Sequence, residues 1–145
     1  MNFMLRPAVR EDADAIRALV RSALINPFGI HWSRFTIAVD DRNQLVGCGQ
    51  VKVHRDGSRE LASIAVVPAW RRQGVARAVI ESLIASNPPP LYLTCRSRLG
   101  PFYERFGFQV IPPAEMPAYF RRVYRLVKWF SFVSRRDQGM LVMRR

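Results

Sequence analysis

The chain has 145 residues and a formal net charge of +12, from 23 lysines and arginines against 11 aspartates and glutamates, and 49% of it is hydrophobic. That is the size of one ordinary domain with one core, residues 1–145, and the apolar content excludes extended disorder. Every apolar run is broken by charge or proline well short of the ~20 residues of a membrane span, and the start MNFMLRPAVR lacks the apolar stretch of a secretory leader, so a cytoplasmic chain with no transmembrane segment is expected.

In chain order, residues 3–6 read as a short strand. Residues 10–25 read as a helix, with acids in the first turn and Ile16, Leu19, Val20, Ala23 and Leu24 at helical spacing. NPFGIHW, 26–32, is a loop or short distorted helix. Three antiparallel strands follow, RFTIAVDD (34–41), QLVGCGQVKVH (44–54) and ELASIAVV (60–67). The last two are joined at Asp56-Gly57, a hairpin signal that calls for positive φ at both residues. Val75, Val79 and Leu83 with Ala76, Ile80 and Ile84 stripe a helix over 72–86. LYLTC (91–95) is a strand, LGPFYERF (99–106) a short helix closed by Gly107, and FQVI (108–111) another strand.

The segment after residue 111 reads as a basic helix-plus-strand extension of the same domain. PAYFRRVYRLVKWFSF (117–132) sets Phe120, Val123, Val127 and Phe130 on one helical face, packed on the sheet, and Arg121, Arg125 and Lys128 on another, while GMLVM (139–143) adds a final strand. Residues 112–145 hold eight basic residues, Arg135 and Arg136 among them, against Glu115 and Asp137. Such a segment attracts anions without choosing among nucleic acid, membrane, acidic protein or a phosphorylated cofactor. Cys48 and Cys95 are too few for a disulfide framework or a four-ligand metal site and read as buried free thiols. His31 and His54 are isolated, without metal-ligand spacing, and read as surface or substrate-loop histidines. No metal is expected.

The stretch VVPAWRRQGVARAV, 66–79, changes chemistry abruptly. A strand, a glycine-bearing turn and a helix leave the first helical N–H groups without backbone partners, aimed at one point where the helix dipole adds positive charge. That is an anion site. Gly74 and Ala76 let a ligand approach the backbone, and Arg71 and Arg72 offer full charges to phosphate oxygens; the alternative is an arginine pair that is simply solvated.

On both sides of that turn, IAVVPAWRRQGVA resembles the acetyl-CoA motif of the GNAT superfamily of acyl-CoA N-acyltransferases: an apolar strand, Pro, then Q/R-x-x-G-x-G/A, here Arg71, Arg72, Gln73, Gly74, Val75 and Ala76. PFYERFGF is similar to the family's second block, with Tyr103 and Gly107-Phe108. The resemblance, over residues 3 to about 111, implies an α+β fold with a mixed, mostly antiparallel sheet, a splayed strand pair and flanking helices. It implies acetyl-CoA or another acyl-CoA, with the pyrophosphate at the start of the 72–86 helix. The pantetheine arm would pair with backbone groups of Ile64, Ala65 and Val66 in the gap beside the strand of Leu91 to Cys95. The implied reaction is transfer of an acetyl group to a primary amine by direct attack in a ternary complex.

Two roles follow for side chains. Tyr103 would give a proton to the departing CoA thiolate, or else is a core aromatic beside Phe102 and Phe106. Glu60 matches the catalytic glutamate of the histone-acetyltransferase branch and would take the proton from the amine, or else is a hairpin-end carboxylate in water or paired with Arg55 or Arg59. Phe28, His31 and Trp32 would wall the acceptor site, or else belong to the core. The acceptor is an amine-bearing small molecule or a protein amine, nucleic acid is not obligatory, and a homodimer is open. The chain departs from the family at Arg96 and Leu99, where many members carry Asn and Ala. Three other readings compete: a non-enzymatic module binding nucleic acid or an acidic surface, an acyl-CoA sensor without turnover, and an interfacial amphipathic helix at 117–133.

Overall fold

A computed structural model describes residues 1–134 and 139–145; the expectations for Arg135, Arg136 and Asp137 lie outside the described residues. The fold is mixed α+β, with seven mostly antiparallel strands and four α-helices among the described residues. It divides into two compact units, Met1–Lys52 with Leu61–Pro88, and Val53–Glu60 with Pro89–Arg145. No helix of the described residues is long and apolar enough to cross a membrane.

In the first unit, β1 (Met4–Pro7) pairs antiparallel with β2 (Phe35–Val39). Arg6 on β1 grips Asp12 through two hydrogen bonds of 2.7 and 3.0 Å, which holds that carboxyl below its usual range. Asp12 also accepts from the Val9 N–H at 2.7 Å, so the expected acidic first turn tethers the chain that enters α1 (Ala13–Ser22). Ile16, Leu19 and Val20 of α1 are buried with Phe35, Ile37, Val39 and Cys48.

α1 stops three residues before the expected Ile25. The Leu24 N–H donates to the Arg21 carbonyl and the Ile25 N–H to the Val20 carbonyl, the paired bonds of a Schellman ending. That ending puts its penultimate residue in the left-handed region, and here the residue is Leu24, at φ 55°. A side chain there costs about 1–2 kcal/mol, and Leu24 recovers nothing from burial, being 88% exposed. Leu24→Gly is therefore expected to stabilise the protein by about 1 kcal/mol, measured as a rise in the urea midpoint at constant m-value.

β3 (Leu45–Val53) runs antiparallel to β2, and β4 (Arg59–Val66) follows it in the strand order β1-β2-β3-β4. α2 (Val75–Ser86) lies directly on the backbone of β3. A Cβ at Gly47 would come 2.5 Å from Val75 Cγ1, and one at Gly49 2.8 Å from Val79 Cγ1. The two glycines of VGCGQ thus set the distance between sheet and helix, and with it the position of the helix start.

The second unit begins with the hairpin end. The His54 N–H donates to the Ser58 carbonyl and the Gly57 N–H to the His54 carbonyl. Only Gly57 has positive φ, +83°, so Asp56 does not share the left-handed conformation expected of both residues; a three-residue connection with one left-handed glycine accounts for the difference. β5 (Tyr92–Arg96) pairs parallel with the start of β4 at one position, Glu60↔Tyr92. β7 (Met140–Arg144) pairs antiparallel with β5 over five positions and with β6 (Gln109–Val110) over two. The stretch expected to add a final strand therefore lies between β5 and β6. α3 (Gly100–Glu104) is the short helix of the second block.

α4 (Ala118–Ser134) departs from its expected facing. Phe120 is fully buried beside Ile111, Met116 and Val142, and Tyr124 packs on that cluster. Val123 and Val127 are half-buried and Phe130 is exposed, because only the first turns of the helix meet the cluster. The basic segment is also partly structural. Arg144 pairs with Glu115 at 3.1 Å, Arg145 donates to the Phe106 carbonyl, and Arg121 donates to the carbonyls of Pro113 and Met116.

Asp56 holds the start of α4. Its carboxylate accepts from the Tyr119 N–H at 2.9 Å and from Ser58, which pulls its pKa down to about 2. A depressed carboxylate contributes stability that is present above its unfolded pKa near ~4 and is lost as pH falls through the folded value. Asp56→Ala is expected to cost about 1 kcal/mol near neutral pH. Melting curves of the two proteins should converge as pH is lowered from about 4 toward 2.

Candidate active site

In the first unit, β4 ends where the Val67 N–H donates to the Val46 carbonyl. One turn of 3-10 helix, Pro68–Trp70, follows, and two left-handed residues, Arg72 (φ 62°) and Gly74 (φ 82°), bring the chain into α2. The helix begins at Val75 rather than at 72, because those left-handed residues cannot be helical. Its first bond is from the Ala78 N–H to the Gly74 carbonyl. The amides of Val75, Ala76 and Arg77 precede that bond, and Gly74 has no side chain with which to cap them. A Cβ at Gly74 would meet nothing within 4 Å, so open space adjoins these amides. Arg71, Arg72 and Gln73 are exposed, and Val75 is buried as the helix's foot in the core. A cluster of amides at a helix's positive end, open space and two exposed guanidiniums together suit a diphosphate.

Upstream on β4, Ala65 is buried while Ile64 and Val66 are half-buried. Ser63, immediately before Ile64, has φ 59°, a conformation that a non-glycine residue keeps only where its surroundings hold it. Gln50 provides that hold, its Nε2 donating to Ser63 Oγ at 2.9 Å from a fully buried position on β3. Gln50 Nε2 also donates to the Gly29 carbonyl, and Lys52 Nζ to the Phe28 carbonyl at 2.8 Å. The loop of the expected acceptor wall is thus fastened from beneath. On it, Phe28 is exposed, His31 is exposed with its ring stacked on Trp32, and Trp32 is half-buried against the core. Residue-by-residue reading missed Gln50 and Ser63, since neither carries a motif.

In the second unit, Tyr103 stands on α3 with its ring edge-on to Phe102 and Phe108. Burial, with a smaller contribution from Cys95, pushes its phenol up to about 12. Glu60 is buried rather than an exposed hairpin-end carboxylate, and His54 Nε2 lies 2.9 Å from its Oε2. Of the expectation that His54 is a surface or substrate-loop histidine, the surface half is corrected: it sits in the connection between β3 and β4, but its side chain is largely covered. Its ring stacks on Tyr119 at 3.5 Å between centroids and meets Phe120 edge-on. The sequence did hold a signal for the pair, because a hairpin that sets His54 opposite Ser58 places Glu60 diagonally across on the same face. His54 also lines a cavity of about 400 Å³ with Arg55, Asp56, Tyr119, Arg122, Val123 and Leu126.

Both cysteines are free, and burial pushes Cys48 up to about 12 and Cys95 to about 11, so neither supplies a thiolate at neutral pH. Among the described residues no cluster of three or more His, Cys, Asp or Glu could hold a metal ion.

This strand order and this turn are those of an acyltransferase fold. The chain belongs to the GNAT acetyltransferase family: residues 31–110, more than half of it, match the family model described as "Acetyltransferase (GNAT) domain". Similar solved structures include N-acetylglutamate synthase from Neisseria gonorrhoeae, complexed with coenzyme A and N-acetyl-glutamate. It is 24% identical with a TM-score of 0.74, and the match covers 99% of this chain and 35% of that one. Rv2747 from Mycobacterium tuberculosis, in complex with CoA and NLQ, is 23% identical with a TM-score of 0.72, covering 97% and 96%. Ard1 from Thermoplasma volcanium is 14% identical with a TM-score of 0.68, covering 100% and 97%. The chain spans about a third of the length of the synthase it matches, and at these identities the likenesses establish the fold. No curated protein matches the sequence.

Proposed function

We propose that this protein is an acyl-CoA-dependent N-acetyltransferase that moves an acetyl group from acetyl-CoA to a primary amine by direct attack. The observation that carries this reading is the turn at Gly74, where uncapped helix amides adjoin open space inside a GNAT domain. The CoA complexes of the Neisseria and Mycobacterium structures support the choice of cofactor.

Acetyl-CoA supplies an activated thioester. The amides of Val75 and Ala76, with Arg71, Arg72 and Gln73, bind its diphosphate, and backbone groups of Ile64, Ala65 and Val66 pair with its pantetheine arm. The Ile64 N–H steadies the thioester oxygen, and the strained Ser63, held by Gln50, aims it. Phe28, His31 and Trp32 wall the acceptor. Glu60, joined to His54, takes the proton that the amine must lose.

Tyr103 keeps its proton at neutral pH. Full transfer from a phenol at about 12 to a thiolate whose acid has a pKa near ~8.5 is uphill by roughly three units. Tyr103 therefore donates a strong hydrogen bond to the departing sulfur rather than a free proton: CoA leaves as its thiolate, and the proton taken from the amine by Glu60 passes on to solvent.

The test has two stages. Binding of acetyl-CoA is read by calorimetry, then release of free CoA is followed across amines: polyamines, amino acids, arylalkylamines and peptides with a free N-terminus or lysine. Saturable CoA release with at least one amine supports the enzyme. Binding without release identifies a sensor, and no binding removes the reading. Glu60→Gln is expected to lower kcat about 100-fold and to alter the pH–rate profile; an unchanged profile and turnover would take the base away from Glu60.

A further inference from the structure

We propose that the C-terminal half of α4 docks on an anionic lipid surface. Its first turns bury Phe120 in the core of the second unit, but farther along the helix turns a second apolar strip outward. Leu126, Trp129, Phe130 and Val133 recur at i, i+3, i+4 and i+7, with Phe132 beside them, and these five side chains are 57% to 85% exposed. Isolated exposed apolar residues are ordinary, but five large ones within eight positions of one helix form a patch that calls for a partner.

Charge decides which partner. The helix AYFRRVYRLVKWFSFVS contains no acidic residue. Arg122, Arg125 and Lys128 are exposed among the apolar side chains, and among the described residues none of the three forms an ion pair with a carboxylate; Lys128 lies 5.5 Å from the centre of the Tyr124 ring. At one end the strip runs into the cavity of about 400 Å³, whose wall Arg122 and Leu126 share with Arg55 and His54. The carboxylate in that wall, Asp56, is already taken up by Ser58 and the Tyr119 N–H. Cations beside a recess, next to a band of Trp, Phe, Leu and Val, match a phosphate headgroup layer over acyl chains.

Other occupants fit less well. A second copy would press Arg122, Arg125 and Lys128 toward their own counterparts on a chain of net charge +12. A nucleic acid would satisfy the cations but leave Leu126, Phe130 and Val133 in water.

The test uses the full chain and sedimentation with vesicles of phosphatidylglycerol mixed with phosphatidylcholine, against vesicles of phosphatidylcholine alone. Binding is expected only to the anionic vesicles and should weaken as salt is raised. Trp129→Ser with Phe132→Ser, both exposed and so expected to leave the melting temperature unchanged, should weaken partitioning about tenfold or more, as should Arg122→Gln, Arg125→Gln and Lys128→Gln together. Equal binding to both vesicle types, or a doubly substituted protein that binds like the parent, overturns the proposal. So does a concentration-dependent dimer that the Ser substitutions abolish, or duplex DNA binding that the Gln substitutions abolish and the Ser substitutions leave intact. Because acetyl-CoA binding is not involved, the outcome is independent of the transferase reading.

Discussion

Tyr103→Phe is expected to lower kcat about 100-fold while leaving the KM for acetyl-CoA within about threefold of the parent. The ring's packing partners, Phe102 and Phe108, touch carbon that phenylalanine also has, so stability should change little. What disappears is the hydroxyl that the proposed mechanism directs to the departing sulfur. A split between kcat and KM separates that role from a structural one, because a merely packing tyrosine would move neither. The raised phenol adds a condition. With its pKa at about 12, Tyr103 stays protonated across the working range, so it should give the parent no alkaline decline below about pH 10. A decline near neutrality that vanishes in the phenylalanine variant would contradict the burial on which the role rests.

The second large effect belongs to Gly74. Asn and Asp both tolerate the left-handed region better than other side chains, and the space beside Gly74 is open in the protein itself. Gly74→Asn therefore measures what a side chain costs a bound cofactor by bulk alone, and Gly74→Asp adds one negative charge beside the position proposed for the diphosphate. Two like charges about 5 Å apart at an effective dielectric of about 20 repel by roughly 3 kcal/mol. The Asp variant should bind CoA about 100-fold more weakly than the Asn variant, measured by calorimetry at low salt, while melting temperatures of the two stay close. Equal affinities would mean that no phosphate lies near residue 74.

How legible the protein was depends on the range of the interaction concerned. Strands and helices came from alternation and helical stripes, which are local, and their errors fall where a single residue adopts a conformation its chemistry does not announce. Leu24 ends α1 in a left-handed conformation that a leucine does not signal, and Arg72 delays the start of α2 in the same way. The Gly74 turn was legible because glycine, arginine and the strand-to-helix junction are neighbours in the chain. The pair formed by His54 and Glu60 was half legible, since its geometry follows from the hairpin but its burial comes from Tyr119 and Phe120, more than 58 residues away.

By itself the sequence determined the elements in order, the strand-turn-helix junction at Gly74 and the family, since each rests on residues close together in the chain, where periodicity and backbone preference act. Only the tertiary structure decided which polar groups are shared, such as Gln50 with Ser63 and Asp56 with the start of α4. It also decided which apolar stripe of α4 goes inward. Both outcomes depend on what else competes for a buried face or an unpaired N–H, and those competitors arrive from elements far along the chain.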